Sequence, residues 1–180
     1  AMFLVSTAGV ILVDAPESLG VALGLAIRQV TAQPITHVVY SHHHADHIGA
    51  AGMVAPGARV VAQAQVARLL QRAADPRRPV PAVTFEDRYT LTVGDQTLEL
   101  SYAGTSHSEG SIFIHAPRQR VLMAVDLVWP GWVPFYEFGQ AKDLPGYRAA
   151  IARALTFDFD TFIGGHVGRA GRRADVEATQ

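Results

Sequence analysis

Seven consecutive residues, Ser41-His42-His43-His44-Ala45-Asp46-His47, hold four of the chain's eight histidines together with an aspartate. Neutral imidazoles beside a carboxylate suit borderline-soft divalent metals such as zinc. In an extended chain alternate side chains share a face, so His42, His44 and Asp46 can converge while His47 turns toward a neighbouring point. One short loop of this kind could serve two adjacent metals. Three further donors stand where strands are expected to end: His107 after Ser101 to Ser106, Asp126 after Val121 to Val125, and His166 after Phe162-Ile163-Gly164-Gly165. Two metals of four- or five-fold coordination need roughly six or seven protein donors plus a shared water. His42, His44, Asp46, His47, His107, Asp126 and His166 make seven, and the absence of cysteine restricts any site to nitrogen and oxygen ligands.

The elements that must position these donors follow from hydrophobic periodicity. Phe3 to Ser6 and Val10 to Val13 read as strands, and Ser18 reads as the cap of a helix running to about Val30. Thr36 to Tyr40 is the next strand, ending immediately before the histidines, at a C-terminal strand edge where α/β proteins place their chemistry. A short helix near Gly49 to Val54, a strand at Arg59 to Ala62, a helix at Gln63 to Ala73 and a proline-rich connector from Asp75 to Pro81 follow. Then Thr84 to Phe85, Tyr89 to Val93, Thr97 to Tyr102, Ser111 to His115 and Val121 to Val125 come at short spacing, as in hairpins. A loop from Leu127 to Gly139, a helix from Leu144 to Leu155 and a strand at Thr161 to Ile163 close the pattern. The mixture implies α/β layers, two sheets in contact with helices outside, in one domain over residues 2–180. Ala1 reads as the remnant of a cleaved tag.

The remaining signals are set against plainer explanations. His37, His43 and His115 read as satisfied surface or core residues. Trp129, Trp132, Phe135, Tyr136 and Phe138 gather five of the chain's fifteen aromatics into ten residues, so Trp129, Trp132 and Tyr136 are candidates to wall a substrate pocket. Arg68, Arg72, Arg77, Arg78, Arg169, Arg172 and Arg173 read as solvated helix and loop faces. A net charge of -1 offers no field for nucleic acid or an anionic membrane and names no partner by itself; a small-molecule substrate is the expectation that goes with the pocket and the metal donors. The apolar stretch from Met2 to Val13 lacks a basic leader, and no run of eighteen apolar residues occurs, so a cytoplasmic protein is expected.

With these residues in place, the chain resembles the metallo-β-lactamase superfamily. The likeness rests on Ser-His-His-His-Ala-Asp-His at 41–47, Gly-Thr-Ser-His-Ser at 104–108, Ala-Val-Asp at 124–126 and Gly-Gly-His at 164–166, and covers Val10 to Val167. It implies a four-layer αββα sandwich, of the mixed α/β (α+β) class. It also implies two Zn²⁺, with Fe or Mn as substitutes: His42, His44 and His107 would hold one metal, Asp46, His47 and His166 the other, and Asp126 would bridge. An aspartate at 126, in a chain without cysteine, looks more like the glyoxalase II, lactonase and alkylsulfatase branches than the true β-lactamases.

The resemblance implies hydrolysis of an ester, thioester, lactone or lactam by a bridging hydroxide, with Asp46 orienting it as the catalytic residue. The competing expectation is a mononuclear iron persulfide dioxygenase, in which His47 and His166 would be spare. Ser41, Thr105, Ser106, Ser108 and Glu109 are the nearby groups that could steady the ligand histidines. Against the family both ends look short, which raises a third expectation, an incomplete and weakly active metal-binding domain. The strands from Phe3 to Val13 would then form an open edge, which pairing of copies into a homo-oligomer would cover.

Overall fold

The apolar run Gly9–Val13 is buried at all five positions, the pattern of a strand covered on both faces rather than one. The computed structural model describes residues 1–132 and 140–180, and this strand, β2, lies inside a five-stranded sheet ordered β1-β2-β3-β4-β5. The other members are β1 (Met2–Ser6), β3 (Ile35–Val39), β4 (Arg59–Gln63) and β5 (Val83–Phe85). Only β1 runs antiparallel to its neighbour; β2, β3, β4 and β5 are parallel. Helices α1 (Gly20–Val30), α2 (Ala45–Ile48), α3 (Ala51–Val54) and α4 (Ala64–Ala73) connect them. Their apolar faces, among them Leu23, Ile27, Ile48, Val66 and Leu70, pack with Val10, Leu12, Val38 and Val60 into one core.

A second sheet is ordered β10-β9-β8-β7-β6, from β6 (Arg88–Val93), β7 (Gln96–Tyr102), β8 (Ile112–Ala116), β9 (Val121–Met123) and β10 (Thr161–Ile163). The hairpin pairs β7·β8 and β8·β9 are antiparallel, whereas β10 joins β9 in parallel after the excursion through α5 (Leu144–Ala154). With α6 (Arg173–Glu177) it encloses its own core of Phe113, Leu122, Tyr147, Ile151, Phe159, Phe162 and Val176. The chain thus divides into two compact units, residues 1–86 with 92–96 and residues 87–91 with 97–180. It is a mixed α/β fold with two mixed sheets. No helix among the described residues is long and apolar enough to cross a membrane.

Four sequence expectations shift. Leu19, not Ser18, caps α1, with no side-chain cap bond. The segment Val83–Phe85 pairs in parallel with β4 and so belongs to the first sheet, not to a hairpin. The helix expected at 49–54 is a single turn, Ala51–Val54, and an unexpected turn before it, Ala45–Ile48, takes in Asp46 and His47. Extended alternation therefore stops at His44; Asp46 and His47 are turned aside by helical geometry. Finally, α6 carries no expected counterpart: its only buried side chain, Val176, gives too little periodicity in five residues to read.

Candidate functional site

Parallel pairing places the first set of donors. β2 and β3 run side by side with Val13 opposite Val39, so the residues that follow them, Asp14 and Tyr40-Ser41, emerge at the same sheet edge. Asp14 is fully buried in a left-handed conformation (φ 57°), and its Oδ1 accepts the Ser41 backbone N–H at 2.8 Å. Burial pushes its carboxyl up from the ordinary range, opposed by the nearby His47 and the bonds from Ser41. Ser41 Oγ lies 3.0 Å from His42 Nδ1, which leaves Nε2 as the atom that His42 can offer a metal. The rings of His42 and His44 are 4.5 Å apart and those of His42 and His47 4.7 Å. Asp46 Oδ2 stands 3.2 Å from His47 Nε2, with Asp46 largely exposed and His47 buried. This unit therefore gathers His42, His44, Asp46 and His47 in one loop.

That loop is strapped from behind. Arg78 donates to the His43 backbone carbonyl at 2.9 Å while its Nε holds Asp75 at 3.1 Å. Tyr40 Oη donates to the Pro79 carbonyl at 3.1 Å. The proline-rich connector is thus a brace for the histidines, and Arg77 and Arg78 are ion-paired to Asp75 instead of merely solvated.

The second unit repeats the construction. β9 and β10 are parallel with Met123 opposite Ile163, and the ladder continues past both ends: Ala124 N–H donates to the Ile163 carbonyl and Asp126 N–H to the Gly164 carbonyl. Asp126 and His166 are brought together by this register. Asp126 is buried, left-handed (φ 61°), and its two oxygens face two different imidazoles: Oδ2 is 3.2 Å from His107 Nε2, Oδ1 is 3.3 Å from His166 Nε2.

These separations bear on whether a divalent metal fits. Donors that share a tetrahedral ion with bonds of ~2.0–2.1 Å stand ~3.3 Å apart, the edge of the tetrahedron. His107–Asp126, His166–Asp126 and His47–Asp46 all match that edge. The donor set, imidazole nitrogen and carboxylate oxygen, is also the one zinc takes. Within each unit, His42 with His44, His107 with Asp126, and Asp46 with His47 bring ligand atoms within 4.8 Å of each other. The chain carries a His/Asp cluster of metal-binding type.

The other candidates separate cleanly. His115 is buried with Nδ1 3.1 Å from Glu99 Oε2 and Nε2 3.0 Å from the Asp158 carbonyl, a structural histidine. Trp129 is buried and stacked beside His166, ring centroids 6.4 Å apart and planes inclined by 10°, within the usual range for aromatic pairs. Trp132 is 65% exposed; Tyr136 lies outside the described residues. Of the five neighbours considered for steadying ligands, Ser41 sits on a histidine ring, while Thr105 meets Tyr102 and Ser108 meets Ser111. Asp14, Arg78 and Tyr147, whose hydroxyl donates to the carbonyls of Asp126 and Leu127, are the supporting residues that sequence reasoning missed. Asp14 had a legible signal, a carboxylate ending the apolar run Val-Ile-Leu-Val.

A family profile described as the metallo-beta-lactamase superfamily matches residues 1–166. Among curated proteins, the 2,4-dinitroanisole O-demethylase subunit alpha of Nocardioides sp. (strain JS1661) is 29% identical over 154 residues, 81% of this chain. The chain spans only 45% of that relative's length. Among solved structures, a metallo-beta-lactamase from Pontibacter korlensis superposes with a TM-score of 0.84 at 24% identity, over 98% of this chain and 83% of the other. The metallo-beta-lactamase IND-7 does so with 0.82 at 20%, over 99% and 82%. At these identities the likeness is one of fold.

Proposed function

The chain belongs to the metallo-beta-lactamase superfamily, and on that premise we propose that its two units work as one catalytic domain, a hydrolase built on a dinuclear zinc centre. In this reading His42, His44 and His107 would hold one ion and Asp46, His47 and His166 the other, with Asp126 available to both. The observation that carries it is the Asp126 carboxylate, which presents one oxygen to His107 and the other to His166 at 3.2 and 3.3 Å. A carboxylate so placed would suit two ions, and the contact of His166 with it supports this reading over a single-iron dioxygenase, in which His166 would be spare.

When bound, such ions would lower the pKa of coordinated water toward about 7 and polarise an electrophile, so no activated serine or cysteine is needed. The chain's own groups do the rest. Asp46, exposed beside His47, would orient the hydroxide as well as help to hold an ion. Ser41 fixes the His42 ring, and Asp14 fixes Ser41. Trp129, flat beside His166, offers an apolar wall to the substrate. The substrate is a small molecule in which carbon carries an oxygen, sulfur or nitrogen leaving group: an ester, thioester, lactone or lactam. The relative named for 2,4-dinitroanisole adds activated aryl ethers to the candidates.

Metal analysis of the purified protein, followed by a panel of esters, thioesters, lactones, β-lactams and 2,4-dinitroanisole, tests the reading. We expect about two equivalents of zinc and turnover of one class, lost in Asp46→Ala and His44→Ala with the fold retained. One equivalent of iron with thiol-dependent oxygen uptake would refute it, as would unchanged turnover in either variant.

A further inference from the structure

Helix α5 buries Tyr147, Ala150, Ile151 and Ala154 on one face, as a core helix should. Its first turn does something else as well. The Tyr147 hydroxyl, on a residue 1% exposed, lies 3.0 Å from the Asp126 carbonyl and 2.8 Å from that of Leu127, and donates to the pair. Those carbonyls belong to the turn in which Asp126 holds φ 61°, a sparsely populated region that persists only when the surroundings over-determine it. No other side chain of α5 could replace this contact without a polar tip at the same depth.

The same turn presses on the other ligand loop of its unit. The backbone N–H groups of Lys142 and Asp143, just ahead of α5, both donate to the Ser106 carbonyl, at 2.9 and 3.2 Å. Gly146 is so close to that loop that a Cβ there would stand 2.1 Å from the Thr105 carbonyl oxygen. Thr105 and Ser106 immediately precede His107. One helical turn therefore fixes the backbone on which His107 and Asp126 both stand.

We propose that the N-terminal turn of α5 is the positioning element of the metal centre, with Tyr147 acting through Asp126 and Gly146 through His107. The proposal rests on the dinuclear reading above. A hydroxyl that holds a strained backbone in place keeps the Asp126 carboxylate aimed at both His107 and His166. A glycine that admits the helix against Thr105 sets how far His107 reaches toward Asp126. Neither residue offers a ligand atom, so their effect is felt through metal affinity and ligand geometry.

The test compares wild type, Tyr147→Phe, Gly146→Ala and Ile151→Val as full chains. Zinc affinity is measured by chelator competition, ligand geometry by the visible absorption of cobalt(II)-loaded protein, and stability by thermal unfolding of the metal-free forms. We expect Tyr147→Phe and Gly146→Ala to bind zinc roughly 10- to 100-fold more weakly, the range found when supporting groups of metal ligands are removed, with altered cobalt spectra. Ile151→Val, a truncation in the same core, should lower the unfolding temperature while leaving affinity and spectrum at wild-type values. Two zinc equivalents in wild type, with both first-turn variants binding zinc as tightly, would overturn this inference alone. A wild-type protein that takes up no zinc would overturn the proposed function and this inference with it. If Tyr147→Phe fails to fold, Gly146→Ala decides.

Discussion

Replacing Arg78 by methionine should loosen the histidine loop from a distance. Its guanidinium donates to the His43 carbonyl at 2.9 Å, and its side chain is only 15% exposed, so methionine can keep the packing of the stem but not the bond. A hydrogen bond from a charged donor contributes about 1.5–3 kcal/mol net. We take about 2 kcal/mol, because His43 is half-buried and water can partly replace the donor. With a urea dependence of about 2 kcal/mol/M for a chain of this size, the unfolding midpoint of the metal-free protein should fall by about 1 M. Zinc affinity should fall with it, because the carbonyl released lies between the candidate ligands His42 and His44. Arg78→Lys should fall between wild type and methionine, since an ammonium can reach one partner but not both in the same geometry. A midpoint within about 0.2 M of wild type would mean that Arg78 behaves as an ordinary surface residue, for which changes stay within ~0.5 kcal/mol, and the strap would have no energetic content.

Other outcomes follow from single distances. In Gly164→Ala the new Cβ would meet the Val128 carbonyl oxygen at 2.1 Å, and backbone cannot yield cheaply; overpacking of about 2 kcal/mol should lower the unfolding temperature by roughly 5 °C and displace His166. Gly168→Ala, with nothing within 4 Å of its Cβ, is the matched control and should leave the unfolding temperature unchanged. His115→Ala should cost about 2 kcal/mol by removing both ring contacts yet keep the full metal content by elemental analysis, which separates a structural histidine from a ligand. Asp75 is held at a pKa of about 2, chiefly by the Arg77 side chain and backbone N–H, with Arg78 adding to it. A depressed carboxylate stabilises above its unfolded value of about 3.9 and loses that contribution as pH falls toward about 2. The stability of Asp75→Asn, followed by thermal unfolding of metal-free protein, should therefore fall less steeply than wild type between about pH 4 and 2.

What could be read from the chain, and what could not, divides along a physical line. Donor identity is a property of residue type, so His42, His44, Asp46, His47, His107, Asp126 and His166 stood out before any fold was known. Strands in the interior of each sheet were legible too, because buried runs such as Gly9–Val13 and Ile112–Ala116 have few competing readings. Direction was harder: the parallel pairing of β10 with β9, which sets Asp126 against His166, depends on a crossover about forty residues long that no local pattern encodes. The supporting contacts were hardest. Tyr147 and Arg78 act on backbone carbonyls, which every residue has, so nothing in the identity of Asp126, Leu127 or His43 announces a partner 21, 20 or 35 residues away. Asp14 is the intermediate case. Its charge at the end of an apolar strand marked it as unusual, but only the parallel register that puts it beside Ser41 gives the carboxylate a task. By the same logic, Ser41→Ala should weaken zinc binding through the freed His42 ring, and Asp14→Asn should do so through Ser41. The double variant should then be no worse than the more damaged single one, since both act along one chain of contacts. Fully additive losses in zinc affinity would show that Asp14 and Ser41 steady the centre independently, and that the sheet-edge register does not link them.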